Sequence, residues 1–235
     1  MQPTHSREEL LKIARERLYP SLTNPSYLVQ RRRREILSRW IERIPGTPLT
    51  VLDVGGRYQP YRPLLVNRIA QYVAVDVIGT ALVDVIGSGE ELPFKAAVFD
   101  LVIATGVFEY FPEPRRAALE MYRVLRPGGS LMVSVASVYP RVVEEEHWRY
   151  LPAGLRFVLA PFEKVEIVPE VASVGGFFRV MAASLDIMAK YELVRKVLRY
   201  TAIPVLNLAG RALDRDAVSR NHQIAGNYCA WAHKA

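Results

Sequence analysis

Apolar residues fall in two rhythms along this chain. Short runs without polar alternation occur at 51–54, 72–77, 81–86, 99–104 and 131–135. Rich in Val, Ile and Leu, they read as strands covered on both faces. Elsewhere the apolar positions recur at helical spacing. Ser6-Arg-Glu-Glu9 is a capping box that should start a helix through about Leu18. From 26 to 44, Val29, Ile36, Leu37, Trp40, Ile41 and Ile44 form one stripe, closed by Pro45-Gly46. Further helices are predicted over 63–70, from Pro112 or Pro114 to Leu125, and over 152–159, with Arg126-Pro-Gly-Gly129 stopping the second of these. Strands at 164–168 and 223–233 complete a strand–helix alternation that implies a mainly parallel, doubly wound sheet. Residues 177–213 exceed what a strand connection needs. They read as two helices sharing Met181, Leu185, Met188, Leu193 and Val197, with a kink at Pro204.

The chemistry concentrates at the end of the first strand. Gly55 and Gly56 directly after Val54 allow a tight turn and close approach of backbone to a ligand. Asp53 at that turn would repel a pyrophosphate and attract a sulfonium or ammonium, which favours S-adenosylmethionine over a dinucleotide. Asp76 ends the second strand about 20 residues on, the offset at which such folds place a carboxylate on ribose hydroxyls; the plain alternative is a loop cap. The 87–94 loop offers small residues and then an apolar anchor for adenine. Thr105-Gly106 stands at the carboxyl end of the fourth strand, where open α/β sheets bind ligands.

Composition narrows the setting. The chain has 235 residues, half of them apolar, and a net charge of +7, enough for one good-sized core. The single cysteine, Cys229, excludes an internal disulfide and favours a reducing, cytoplasmic setting. No secretory leader or membrane-spanning stretch is apparent. No Cys/His cluster has metal spacing, and Glu144, Glu145 and Glu146 read as a solvated acidic face. Arg31, Arg32, Arg33 and Arg34 read as a solvated helix face or a phosphate-binding patch.

Five motifs in register, V-L-D-V-G-G (51–56), Y-V-A-V-D (72–76), E-E-L-P-F (90–94), F-D-L-V-I-A-T-G-V-F-E-Y (99–110) and Y-R-V-L-R-P-G-G-S-L (122–131), resemble the class I S-adenosylmethionine-dependent methyltransferases of the small-molecule kind called type 11. The resemblance implies a Rossmann-like, doubly wound α/β sheet of seven strands, mostly parallel with an antiparallel last strand. Residues 1–46 become an N-terminal helical extension and 47–235 the methyltransferase domain, with the 177–213 helical insertion before the last strand. It also implies that Asp53, Gly55 and Gly56 line the methionine end of the cofactor, that Asp76 with Val77 holds the ribose side, that Ser88, Gly89 and Glu90 flank adenine, and that Thr105 sits by the sulfonium. Two positions depart from the pattern. Arg57 and Gln59 replace later glycines of the loop, so its backbone takes another path or side chains enter near the cofactor. Ser88 stands where relatives often carry an aspartate.

The activated methyl group is already a good electrophile, so a base is needed only for a poorly ionised acceptor. Glu109 and Tyr110 follow the fourth strand, and His147 lies in E-E-E-H-W-R-Y (144–150); for His147 a solvated loop and a substrate role both stand, and Glu109 suits a structural or rim position better than proton transfer. The T-G-V-F stretch (105–108) lacks the elements of nucleic-acid amino methylation and of metal-dependent catechol-type transfer, so DNA is not expected as a partner. A small, glycosyl or lipid-linked hydroxyl acceptor remains. The alternatives are an RNA methyltransferase, resting on charge alone, and a non-catalytic cofactor-binding scaffold. The 177–213 helices, with Lys190, Arg195, Lys196 and Arg199, serve as core, as a homodimer contact, or as a lid or peripheral contact at the inner face of a membrane.

Overall fold

The computed structural model describes residues 5–46, 48–141, 143–214 and 224–235. Helix α1 (Arg7–Leu18) starts at the expected capping box: Ser6 Oγ accepts from the Glu9 amide and the Glu9 carboxylate accepts from the Ser6 amide at 2.7 Å. Helix α2 (Tyr27–Arg43) buries its predicted stripe. The strands are β1 (Leu49–Val54), β2 (Ile69–Asp76), β3 (Val85–Ile86), β4 (Phe99–Thr105), β5 (Leu125–Ala136), β6 (Lys164–Pro169) and β7 (Asn227–His233). They form one sheet in the order β3-β2-β1-β4-β5-β7-β6. The first five are parallel, and β7 runs antiparallel to both β5 and β6. The predicted start of β7 at 223 lies outside the described residues.

Alternation along the strands divides the core between two faces. Leu52, Val54, Val102 and Ala104 point to the side covered by α3 (Pro114–Val124) and α4 (Pro152–Val158). Val51, Leu101 and Ile103 point to the side covered by α2, where Trp40 stacks on Trp231 at 5.8 Å between ring centroids.

Several sequence expectations are corrected here. The helix predicted over 63–70 is a short 3-10 turn, Arg62–Leu65, and β2 already begins at Ile69. The sheet face that helix would cover is taken by α2. Arg68 closes the end of α2 instead, its guanidinium donating to the carbonyls of Ile41, Ile44 (2.5 Å) and Gly46 (2.8 Å). β3 shrinks from 81–86 to two residues because the Asp84 carboxylate takes the strand's place in the ladder, accepting from the Ala74 amide at 2.8 Å. Arg126-Pro-Gly-Gly129 does more than stop α3. It bulges out of β5, so that Phe99 pairs with Leu125 and Leu101 already with Ser130.

The insertion holds three helices rather than two: α5 (Ser173–Met188), α6 (Glu192–Tyr200) and α7 (Ala202–Leu213). Pro204 does not kink a helix. It sits in the first turn of α7, where its missing N–H is no loss. The chain breaks at Thr201 instead.

The arginine run is neither a simple solvated face nor a phosphate patch. Arg31 and Arg32 pair with Glu35 at 3.0 and 3.2 Å. Arg34 donates to the Leu18 carbonyl at 3.2 Å. Arg33, its side chain 13% exposed, grips the buried Glu170 through two bonds of 2.6 and 3.0 Å. Glu170 also accepts from Ser134 Oγ and, at 3.2 Å, from Cys229 Sγ. Across 137 residues of sequence, α2 is thereby fastened to the segment after β6.

Candidate functional site

A cleft of about 200 Å³ opens at the carboxyl ends of β1 and β2. Gly55, Asp76, Val77, Ser88, Gly89, Glu90 and Tyr110 all line it, together with Val54, Val75, Val107 and Phe111. Seven of the predicted residues therefore converge from four separate chain segments. Val75, Val77 and Phe111 make its apolar walls and Asp76 supplies a carboxylate, the composition expected of a small-molecule site. Its volume lies below the roughly 300–1,000 Å³ of whole ligand pockets, so it suits a nucleoside better than an entire cofactor. A larger hollow of about 360 Å³ between α2 and β6 lies on the α2 side of the sheet, and its Arg43 and Glu166 are already paired at 3.3 Å.

The turn after β1 needs its two glycines. Gly55 has φ +78°, and both its amide and that of Gly56 donate to the Val75 carbonyl, at 2.8 and 3.1 Å. A Cβ on Gly56 would stand 2.7 Å from the Asp53 carbonyl oxygen. The loop therefore lies flat against β2 and leaves the strand ends accessible. Of the two departures, Gln59 keeps a glycine-like backbone at φ +50°, a conformation rare for a residue with a side chain. Its amide is turned away from the cleft and donates to the Leu82 carbonyl. Arg57 does approach the ligand side, its Nε 4.0 Å from Asp76 Oδ2.

Asp76 is held in place by the Ile78 amide, which donates to Oδ1 at 2.9 Å. The loop from Ser88 is likewise fixed, with Ser88 Oγ accepting from the Glu90 amide at 3.2 Å. The Glu90 carboxylate accepts from the Glu113 amide at 2.6 Å, so it ties the loop to the start of α3. At the end of β4, Gly106 has φ +63°, and a Cβ there would meet nothing within 4 Å. Thr105 precedes it, half-buried and paired with Ser134.

Other predicted residues lie away from the cleft wall. Asp53 is buried beneath the turn and accepts from the Tyr72 hydroxyl at 2.6 Å. Burial raises its carboxyl pKa to about 7, the Tyr72 hydrogen bond lowers it, and the Asp76 charge raises it. Glu109 is buried too and accepts from the Ala136 amide, joining the loop after β4 to the end of β5. Burial pushes its carboxyl up. His147 is exposed; its amide donates to the Glu109 carbonyl at 2.8 Å. The neighbouring Trp148 indole donates to the Phe111 carbonyl at 2.8 Å and the Tyr150 hydroxyl to the Phe108 carbonyl at 2.9 Å. Residues 147–150 thus form a strap over the cleft's outer wall. Phe111 lies outside every motif, and Val107 lies inside one without a role of its own. Only Arg57 carried a signal, as a charge at a glycine position.

Residues 52–133 match the family described as "Methyltransferase domain". A 2-methyl-6-phytyl-1,4-hydroquinone methyltransferase from Oryza sativa subsp. japonica is 34% identical over 98 residues, covering 40% of this chain and 28% of that protein. An uncharacterized methyltransferase from Mycobacterium sp. (strain KMS) is 34% identical over 97 residues, covering 36% of this chain and 38% of its own. The matches thus cover about a third of the length of these relatives. Among solved structures, a putative methyltransferase from Bacillus halodurans superposes with TM-score 0.52 at 18% identity, over 85% of this chain and 97% of that one. The cyclase SpnF superposes with TM-score 0.55 at 20% identity, over 86% and 80%. At such identities the structural likeness speaks for the fold alone.

Proposed function

From the premise that this chain belongs to the class I S-adenosylmethionine-dependent methyltransferases of type 11, with S-adenosylmethionine as cofactor, we propose that it methylates a hydroxyl of a small, glycosyl or lipid-linked acceptor. The observation that carries this reading is Asp76 at the rim of an apolar cleft, on the strand next to the glycine turn. The substrate named for the rice relative, a hydroquinone bearing a phytyl chain, supports an acceptor that joins a hydroxylated ring to a hydrocarbon. We also propose that residues 1–46 are a helical extension built onto the sheet of the 47–235 domain.

When bound, the cofactor supplies an electrophilic methyl on sulfur. Asp76, with Val77 beside it, would accept hydrogen bonds from the ribose, and Phe111 would cover the apolar side of the cleft. Asp53 beneath the turn gives the positive centre a counter-charge through its ionised form. Tyr110, whose hydroxyl is pushed up first by partial burial and then by the Glu146 and Glu109 charges, donates to Glu146 at 3.5 Å and would turn that hydrogen to the acceptor. Glu109 positions the strap, its carbonyl accepting from the His147 amide and one carboxylate oxygen from the Ala136 amide. On the strap, His147 is the side chain read as receiving the acceptor's proton. His147→Gln is expected to lower kcat by about a hundredfold with cofactor affinity unchanged. An equal loss in cofactor affinity would remove His147 from that role.

A pH dependence follows from Asp53. With the folded carboxyl near pH 7, its negative form is about a tenth populated at pH 6 and about nine-tenths at pH 8. S-adenosylhomocysteine lacks the sulfonium but keeps the ammonium; titration calorimetry with it is expected to show affinity falling about tenfold from pH 8 to pH 6. Asp53→Asn is expected to flatten that profile. The ligand-free protein behaves oppositely. Its folded pKa is raised above the unfolded value, so the stability tied to this proton is present at low pH and lost as pH rises through about 7.

The deciding experiment is calorimetry with S-adenosylhomocysteine followed by transfer of labelled methyl into a cell extract. Label in an organic-extractable or glycan fraction supports the proposal. Label confined to an RNase-sensitive fraction would make the acceptor RNA, and binding without any labelled product would make the chain a scaffold.

A further inference from the structure

Helix α6 is turned inside out. Its protein-facing side is polar: Arg199 clamps the Asp186 carboxylate of α5 at 2.5 and 2.9 Å, and Arg195 donates to the Asp186 and Ala189 carbonyls at 3.3 and 3.1 Å. Its apolar stripe, Leu193, Val197 and Tyr200 at spacings of four and three, faces outward with 75%, 52% and 75% of each residue exposed. No residue of α6 is buried. Met188 and Tyr191 just before it, and Val205 and Leu208 on α7, extend the apolar surface. A helix packed only for its own fold would face the other way, and a contiguous exposed apolar patch of this kind marks a surface that something covers.

From this geometry we infer that the α6 face docks on an anionic lipid surface. Three features select that occupant. Lys190 and Lys196 flank the stripe, are exposed, and have no ion pair among the described residues; their long stems can lie along the acyl boundary while the ammonium groups meet lipid phosphates. Tyr191 and Tyr200 each present an apolar ring with a polar tip, which suits the headgroup depth. A second copy of this chain, itself carrying +7, would bring the same lysines against each other across a two-fold contact. No helix among the described residues is long and apolar enough to cross a membrane, so the contact is one that lies on the surface.

The face is also at the useful end of the molecule. β6 runs parallel to β5, and α5 leaves from its carboxyl end, where Pro169 pairs with Tyr228. Gly176 of α5 packs so closely on the Ile224 carbonyl leading into β7 that a Cβ would stand 1.9 Å from its oxygen. The insertion therefore sits at the same end of the sheet as the carboxyl ends of β1 and β2, which carry the cleft.

The test uses the full chain and vesicles, and its readout does not depend on methyl transfer. Co-sedimentation with vesicles of equal parts phosphatidylglycerol and phosphatidylcholine is expected to pellet the wild type, with phosphatidylcholine alone retaining about tenfold less and added salt weakening the contact. Leu193→Asp with Val197→Asp is expected to reduce partitioning by about tenfold or more without lowering the thermal midpoint, since both side chains are exposed. Lys190→Glu with Lys196→Glu should remove the preference for anionic lipid. A wild type that stays in solution with the anionic vesicles, or an aspartate variant that pellets equally, overturns the inference. So does concentration-dependent dimerisation that the aspartate variant abolishes while vesicles bind neither protein.

Discussion

Asp76→Ala is expected to weaken S-adenosylhomocysteine binding by about a hundredfold or more, leaving the fold intact. A carboxylate accepting from two ribose hydroxyls makes charge-assisted bonds, each worth roughly 1.5–3 kcal/mol. Oδ1 is already oriented by the Ile78 amide, so little ordering remains when the ligand arrives. The Arg57 guanidinium, 4.0 Å from Oδ2, is the competing partner. Arg57→Gly should therefore act in the opposite direction, relieving competition for Asp76 and strengthening binding by a few fold. Asp76→Asn separates charge from hydrogen bonding and should fall between wild type and alanine. Calorimetry on the four proteins checks the order, and an alanine variant that binds like wild type would remove the ribose role and with it the cleft as the cofactor's site.

The largest effect on stability is expected at the Arg33–Glu170 pair. The Glu170 side chain has no exposed surface, and Arg33 supplies its only cation among the described residues. Burial lowers the Arg33 pKa, but the Glu170 and Tyr61 charges and the Glu170 hydrogen bond together hold it well above its ordinary value. Removing only one partner leaves a charge stranded in the interior; Arg33→Met alone is expected to cost about 3–5 kcal/mol. Glu170→Leu alone strands the guanidinium instead and should also destabilise the fold. The double variant Arg33→Met with Glu170→Leu should recover most of the loss, because well-packed apolar groups can replace a buried pair with little net change. Thermal and denaturant unfolding of the three variants measures the cycle. If the double variant is no better than the singles, the pair contributes something other than mutual neutralisation, such as the bonds from Ser134 and Cys229.

The sheet was readable because its strands are covered on both faces: β1 and β4 carry mostly apolar residues with no polar alternation, as strands at the centre of a sheet do. The end of the site proposed for the nucleoside was readable for a similar reason. The glycine turn and Asp76 are fixed by offset along one strand–turn–strand unit, so spacing alone brings them to one rim. What sequence could not show was partnership at long range. Nothing local distinguishes Arg33 from Arg31, Arg32 or Arg34, yet only Arg33 meets a carboxylate 137 residues away. Glu90 lines the cleft, and its carboxylate also accepts from the Glu113 amide at the start of α3, a link that no local pattern shows. In α6 the apolar stripe was visible, but a stripe has no sign. Which side of a helix meets its own protein depends on Asp186, an acid in the preceding helix that attracts the arginines inward.

The three tryptophans are divided between the two faces of this molecule in a way that has an optical consequence. Trp40 and Trp231 form a stacked pair behind the sheet, with the Arg43 guanidinium 4.4 Å above the second ring. Trp148 stands alone on the strap, its indole nitrogen bonded to the backbone of Phe111 in the cleft wall. Intrinsic fluorescence therefore carries two separable signals: one emitter reports ligand arrival at the strand ends, and a coupled pair reports detachment of the amino-terminal helices from the back of the sheet.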